Sequence, residues 1–543
     1  MAQIGGTPIL ILKEGTDRRT GKTAKEQNFA AAIAIAEIIK SSLGPKGMSK
    51  LLVDNLGDIT ISNDGKTILD EIEVEHPAAK MIVEIAKTQY NKVGDGTTTS
   101  VVIAGELLKK AQNLLDEDIH PNVIFHGYRL AMKKAEEILN TISKKINIQD
   151  KNTFKKVAKT SMNSKNIVGA QEKFAEIAMN AIMQVRNPRN GGFTADLDDI
   201  QIIKKSGKSI QDSELIFGLI VDKEVVHSGM PKRITNVKIA VIDTALEIEK
   251  TEFTAEIRVK NPNQLQNFID QEDKMLKDMT DKIISSGANV VFCQKGIDDT
   301  AQDFLAKSGV LSVRRVKKSD MEKLTRATGA QILNRIEDLS PKSLGIAGLV
   351  EEMKVGKDNM IFITGCKDPK AVSILVRGSS TNIVEEANRS MHDALCAVKA
   401  LVEDPAIIAG GGATLMELSK QLRNYASTIG GKEQLAIEAY AEALEIVPKI
   451  LAENAGMDPV ELIADLRAKH EQSNGTDYGI ELFTQKICNM IDVDVIEPRS
   501  VLLQAIHSAT EVACLIVKID DVIVASKLSR GPKMPGKEHE IEE

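Results

Sequence analysis

The chain has no tryptophan, and aromatic residues make up only 3% of its 543 residues. Bases and sugars stack on aromatic faces, so neither a nucleic-acid platform nor an aromatic sugar site is expected. A net charge of −7 also lacks the basic footprint of a nucleic-acid binder. The five cysteines, Cys293, Cys366, Cys396, Cys488 and Cys514, are scattered, odd in number and never spaced CxxC. That excludes a disulfide framework and a cysteine zinc site. The N-terminus lacks an apolar leader core, and no apolar run approaches the length of a membrane span. A soluble cytoplasmic protein without membrane contact is the expectation. There is no GxxxxGK[ST], and no GxGxxG leads from a strand into a helix. A P-loop ATPase or metabolic kinase therefore finds no support.

What remains is an ordinary globular composition, 42% hydrophobic and 27% charged. By length alone it suggests about three domains. The most informative stretch is Gly94-Asp95-Gly96-Thr97-Thr98-Thr99, between the helical patterns Ala79–Val93 and Ser100–Leu115. Glycines let the backbone turn its N–H groups toward a ligand. The second helix adds free donors and a positive dipole end, a site for phosphate. Asp95 would repel a phosphate unless a cation lay between them, which suggests Mg²⁺. The plain competing reading is a tight turn with a threonine cap.

The rest of the chain alternates in character. Ile9–Leu12 reads as an edge strand, and Gln27–Leu43 as a helix stopped by Gly44-Pro45-Lys46-Gly47. Lys50–Asp54 and Asp58–Ser62 form a hairpin that delivers Asn63-Asp64-Gly65. Residues 117–149 are mostly helical. Thr160–Lys165 is a polar break, and Lys165 by itself reads as a solvated lysine. From Gly192 short strand-like runs appear: Ile200–Lys204, Leu215–Val221 and Val237–Asp243. Asn261–Gly287 is a long helix with Leu265, Phe268, Ile269, Met275, Leu276, Met279 and Ile283 on one face. Then strand Asn289–Gln294, helix Asp298–Lys307, strand Val310–Val316 and helix Ser319–Thr328 make a βαβα run, with Ser319 and Glu322 as a capping box. Strands Gly348–Met353, Met360–Thr364 and Ala371–Arg377 follow. Long helices return at Ile383–Val402, Thr414–Ile429, Gln434–Ala455 and Pro459–Lys469, with Ala409–Ala413 a third glycine-rich loop opening a helix. Val493–Glu497 and Leu515–Val524 read as strands before a charged tail. The glycine-rich loops lie in both helical ends and none in the middle, which suggests a nucleotide domain built from both ends of the chain.

Several stretches together carry a resemblance: Ser42-Leu43-Gly44-Pro45-Lys46-Gly47-Met48, Asn63-Asp64-Gly65, Glu75–Lys80, Gly94–Thr99, Thr160–Lys165, His227–Arg233, Phe292–Gly296, His392-Asp393-Ala394-Leu395, Ala409–Ala413 and Ile519–Ile523. From about Gly6 to Arg530 the chain resembles a group II chaperonin subunit of the archaeal thermosome type, related to the eukaryotic cytosolic chaperonin. The resemblance implies an α+β multidomain fold. A mostly helical equatorial domain at 1–148 and 403–530 would bind ATP. A small intermediate hinge would take 149–217 and 368–402. An α/β apical domain at 218–367 would bind unfolded client proteins and carry a helical lid protrusion at about 245–282, with a disordered tail at 531–543. It also implies a double ring of eight or nine subunits per ring, homo- or hetero-oligomeric, with no separate co-chaperonin.

Carried over by position, Asp95 matches the Mg²⁺ ligand, and Gly94, Gly96, Thr97, Thr98 and Thr99 the phosphate cradle. Asp64 and Asp393 match the aspartates that position and activate the attacking water. Leu43, Gly44 and Pro45 resemble the loop beside the nucleotide, and Lys165 the lysine near the γ-phosphate. Gly411 and Gly412 would approach the base and sugar, and Glu497 the ribose. The function implied is an ATP-dependent chaperone. The competing reading is a divergent paralogue that assembles and binds clients with weak ATPase activity. The intact aspartates favour the first, while Lys66, an extra cation beside the phosphate region, and Leu415, where the family usually carries Glu, keep the second open; Ser49 is a further departure, in place of a frequent Asp. Client contacts are expected from the two short apical helices, through Phe304, Leu305, Met321 and Leu324, and from the tip at 253–264. Core packing is the alternative for those side chains.

Overall fold

The computed structural model describes residues 2–4, 7–9, 17–165, 167, 169–189, 191–248, 262–367 and 369–524. Most of the expected Ile9–Leu12 strand, the tip residues 253–261 and the tail at 531–543 lie outside the described residues. Segments near both ends of the chain meet: Asp17–Thr20 pairs antiparallel with Asp521–Val524.

Buried apolar side chains gather in separate cores. The largest draws on residues 29–139 and 408–517 and is almost wholly helical. Its helices include Gly21–Lys40, Pro77–Val93, Thr97–Asp116, Pro121–Ile142, Ala413–Ile429, Lys432–Leu444 and Arg499–Val517. A second core joins residues 154–200 to 372–407, with Ile496. Its sheet runs Glu214–Ile216, Val372–Gly378, Ile200–Ser206, and the helix Thr381–Glu403 packs on it. Between these two segments in sequence lies a seven-stranded sheet ordered Gly218–Val221, Asp358–Thr364, Gly345–Val355, Arg233–Ile242, Val290–Cys293, Leu311–Val313, with Ile332–Leu333 beside Arg233–Ile242. Successive residues of a strand face opposite sides. Ile239 and Val241 therefore enter a core with Met321 and Leu324 of the helix Lys318–Thr328. Ala240 and Ile242 enter another, with Leu276 and Ile283 of the helix Pro262–Ser285 and Leu305 of Asp299–Lys307.

Some expectations are corrected. Leu515–Val524 is not one strand. The helix Arg499–Val517 occupies its start, with Val501, Leu502, Ala505, Ile506 and Ala509 buried at helical spacing. This helix has the length and apolarity of a membrane span, and most of it is buried inside the largest core. Gln434–Ala455 is two helices, Lys432–Leu444 and Ile446–Asn454, which turn at Glu445. Leu215–Val221 splits into strands of two different sheets. Ser319 and Glu322 form no capping box, because the helix already begins at Lys318 and its cap residue is Lys317. The long helix buries Leu276 and Ile283 but exposes Phe268, Ile269 and Met275.

Candidate functional site

One cavity collects residues from across the chain. Leu43, Gly44, Pro45, Asp64, Gly94 to Thr99, Lys165, Asp393, Gly411, Gly412 and Glu497 all line it. The hairpin Lys50–Val53/Ile59–Ser62 ends at Asn63 and Asp64. Asp64 caps the helix Gly65–Glu71, and its Oδ2 accepts from Thr67 N–H at 3.0 Å and from Thr67 Oγ1–H at 2.8 Å. The other oxygen, Oδ1, lies 3.5 Å from Lys165 Nζ.

The helix Pro77–Val93 stops because Gly94 adopts a left-handed conformation, φ +71°. Asp95 Oδ1 accepts from Gly96 N–H at 2.6 Å. Gly96 is the cap residue of Thr97–Asp116, with no side chain satisfying the first amides. The threonines are thus the first helical turn rather than its cap, and those amides remain available to an anion. A second helix, Ala413–Ile429, starts at the same cavity from Gly412. Its loop is packed closely: a Cβ on Gly411 would come within 2.8 Å of the Ile480 carbonyl.

Lys165 is not solvated. Its side chain is only 4% exposed and its Nζ lies 3.2 Å from Asp393 Oδ2 as well as facing Asp64. The solvated reading fails because the break at Thr160–Lys165 faces inward. Burial pushes the lysine down, but Asp393 and Asp64 outweigh it and hold Lys165 above the ordinary range. Burial pushes Asp393 up to about 8 against the pull of Lys165, with the Asp64 and Asp95 carboxylates adding to the rise. For Asp64, burial is outweighed by Lys165 and the Thr67 bonds, so its carboxyl sits below the ordinary value. Burial raises Asp95, opposed by the Gly96 N–H. Burial and the Asp95 charge push Glu497 up to about 7.

Two supports escaped the sequence reading. Asn63, buried, donates to the Ser164 carbonyl and ties the lysine loop to the end of the hairpin. Gln89, fully buried, donates to the carbonyls of Asp95 at 2.9 Å and Val501 at 3.1 Å. Both are amides inside helical or turn patterns, and only their distant partners reveal their use.

The sequence matches the TCP-1/cpn60 chaperonin family over residues 35–527. The chain belongs to this chaperonin family. It is 55% identical to thermosome subunit beta of Archaeoglobus fulgidus over 531 residues, covering 98% of this chain and 97% of that one. It is 55% identical to a thermosome subunit of Pyrococcus horikoshii over 530 residues, 98% and 96% of the two chains. To thermosome subunit alpha of Archaeoglobus fulgidus it is 52% identical over 535 residues, 98% of each.

Within this chaperonin chain the departures at Lys66 and Leu415 take on definite surroundings. Lys66 is not a free cation in the cavity: its Nζ lies 3.2 Å from Asp70 and 4.4 Å above the Tyr90 ring. Leu415 is buried in the largest core at the edge of the cavity. Ser49 is exposed. Of the expected client contacts, Leu305, Met321 and Leu324 are fully buried, so they pack the core.

Proposed function

We propose that this chaperonin subunit binds ATP with Mg²⁺ in the cavity and hydrolyses it, and that the reaction drives a built-in lid over a ring chamber in which unfolded proteins fold. The observation that carries the reading is Lys165 bridging Asp64 and Asp393 at the mouths of two open helix N-termini. The residues fit the metal. Asp64, Asp95 and, once it is ionised as the base, Asp393 outnumber the one lysine among them, an excess of negative charge that disfavours a triphosphate unless a divalent cation accompanies it. Asp95 would hold the Mg²⁺, which when bound neutralises charge on the phosphates.

This chain's own groups do the rest. The amides of Gly96 to Thr99 bind phosphate oxygens. Lys165 faces the terminal phosphate. Asp64, locked by Thr67 and kept ionised, orients the attacking water. Asp393, with its raised proton affinity, accepts the proton that water loses; such a base contributes roughly 10²–10⁴-fold. Asp393 stands on Thr381–Glu403, in the second core, while Asp64 and Asp95 stand on the first. Movement between those bodies would assemble or separate the site, which couples hydrolysis to lid closure. That supports an equatorial domain at 1–148 and 403–530, a hinge at 149–217 and 368–402, and an apical domain at 218–367 with its protrusion.

Ring assembly has its own support. Leu51 pairs with Ile61, and Val53 with Ile59, on one face of the hairpin, and all are more than half exposed. An apolar patch of that kind fits contact with a neighbouring subunit. The relatives named alpha and beta favour rings shared with sister subunits, of eight or nine members. The weak-ATPase reading is not favoured, since Asp70 and Tyr90 take up the Lys66 charge. The test is Mg²⁺-dependent ATP turnover of the assembly beside Asp393→Ala, with particle size measured for both. Intact rings with turnover lost in the variant are expected; an inert parent assembly, alone and with sister subunits, would overturn the proposal.

A further inference from the structure

His470, 1% exposed, ends the helix Pro459–His470 and belongs to no part of the chemistry above. Its Nδ1 lies 2.9 Å from Glu417 Oε2 and its Nε2 lies 2.8 Å from the Tyr478 carbonyl. A carbonyl only accepts, so Nε2 carries a proton. Glu417 uses its other oxygen to accept from Gln421 Nε2 at 2.7 Å. Burial alone would raise Glu417, but the hydrogen bonds from His470 and Gln421, with the nearby Lys420 charge, outweigh it and hold the carboxyl below the ordinary value. His470 thus joins Glu417 to the Tyr478 carbonyl across the interior.

Each end of this hydrogen-bonded pair holds one wall of the cavity. Glu417 sits on Ala413–Ile429, the helix that begins at Gly412, and Lys420 of the same helix donates to the His470 carbonyl. Tyr478 opens the strand Tyr478–Glu481, in which Ile480 N–H donates to the Gly411 carbonyl at 2.9 Å. Gly479 lies against that same loop: a Cβ there would approach the Gly411 carbonyl to 2.7 Å. Ile480 and Leu482 of this segment, with Leu451, line an apolar stretch of the cavity. Such a wall suits a base and ribose, not phosphates.

We propose that the hydrogen-bonded pair Glu417–His470 is a positioning clamp: it fixes the 478–483 segment against the glycine loop and so sets the affinity of the cavity for the base and ribose of a nucleoside triphosphate. The inference rests on the nucleotide reading above. Its test compares the assembled parent with Glu417→Gln and His470→Gln by calorimetric titration with Mg–ATP and, separately, with Mg–tripolyphosphate, which has no base or ribose. Turnover at saturating ATP and particle size are measured alongside.

The expected result is ATP affinity weaker by about tenfold or more in both variants, with tripolyphosphate affinity and saturated turnover within about threefold. Unchanged ATP affinity would overturn the clamp, as would equal losses for both ligands together with lost turnover, the pattern of a merely structural pair. A parent that binds neither ligand would instead sink the nucleotide reading itself. If the variants do not assemble, Glu417→Asp, which keeps a carboxylate but shortens its reach to His470, decides by the same two titrations. Weaker ATP affinity with tripolyphosphate affinity unchanged is expected; unchanged ATP affinity, or equal losses for both ligands, would overturn the proposal.

Discussion

Gly94 and Cys396 meet where the glycine loop touches the helix that carries Asp393: a Cβ on Gly94 would lie 2.1 Å from Cys396 Sγ and 2.3 Å from its Cβ. Gly94 also holds φ +71°. A side chain here meets two penalties, a left-handed backbone costing roughly 1–2 kcal/mol and overpacking costing about 1–3 kcal/mol. Gly94→Ala should therefore lower ATP affinity and turnover together, because the loop moves away from Asp393. Cys396→Ala should not restore them, since the Cβ clash remains. Cys396→Gly should restore part, less about 1 kcal/mol for a glycine inside a helix. Equal rescue by both substitutions would show that the contact is not the cause.

The Cys396 thiol is a packing group and not a nucleophile. Burial, helped by the Asp393 and Asp95 charges, pushes it far above the ordinary thiol value. Thiol alkylation of the folded chain at neutral pH should therefore leave Cys396 unmodified while it reacts in denaturant, as mass spectrometry of the digested protein would read.

Lys165 compensates two carboxylates at once. Removing it as Lys165→Met leaves Asp64 and Asp393 facing each other in the interior, and a broken buried pair costs on the order of 3–5 kcal/mol. Adding Asp393→Asn should recover part of that stability at a pH high enough to ionise Asp393, because one uncompensated charge then goes with it. It should recover no turnover. Thermal melting and ATPase rates on both variants would separate the two effects; a double variant no more stable than Lys165→Met would contradict the bridge.

The raised value of Asp393 has opposite consequences for stability and rate. Its ordinary value is 3.8 and its folded value about 8. Between them the folded chain keeps a proton that the unfolded chain has released, so this group's contribution to stability falls as pH rises across that window. As a base it must be ionised, so kcat/KM for ATP should rise with pH, by about tenfold per unit below that value, and level off above it. Asp393→Asn should flatten the limb in the residual activity. A parent profile flat between pH 6 and 9 would argue against Asp393 as the base.

Much of this was legible in the sequence where short-range signals suffice. Gly44, Gly94 to Thr99 and Gly410 to Gly412 mark loop-to-helix junctions, and the βαβα run from Asn289 to Thr328 shows its own periods. What sequence spacing hides is which junctions meet. Lys165 looks solvated because its partners, Asp64 and Asp393, lie on distant elements. Arg499–Val517 does carry a helical stripe in Val501, Leu502, Ala505, Ile506 and Ala509, but its last apolar residues, Leu515–Val517, run close to the strand Asp521–Val524 and read as its beginning. Ser319 and Glu322 have capping-box spacing, but that helix begins a residue earlier, inside the preceding lysines.

The hairpin offers a test at a surface outside the cavity. Leu51 and Ile61 are opposite neighbours in the register, at 62% and 51% exposed, and Val53 and Ile59 are the next pair on that face. Charged residues there touch little inside their own subunit, so Leu51→Lys with Ile61→Lys should change the stability of an isolated subunit by about 0.5 kcal/mol or less. In a ring, the same change would bury two unpaired lysines against a neighbour, each costing several kcal/mol. The double variant should therefore sediment as a folded single subunit under conditions where the parent forms large particles, and Ile61→Val should still assemble. Because Asn63 and Asp64 continue directly from this strand, the dissociated subunit should also lose turnover more than ATP binding. Full-size particles from the double variant would remove the hairpin from the interface.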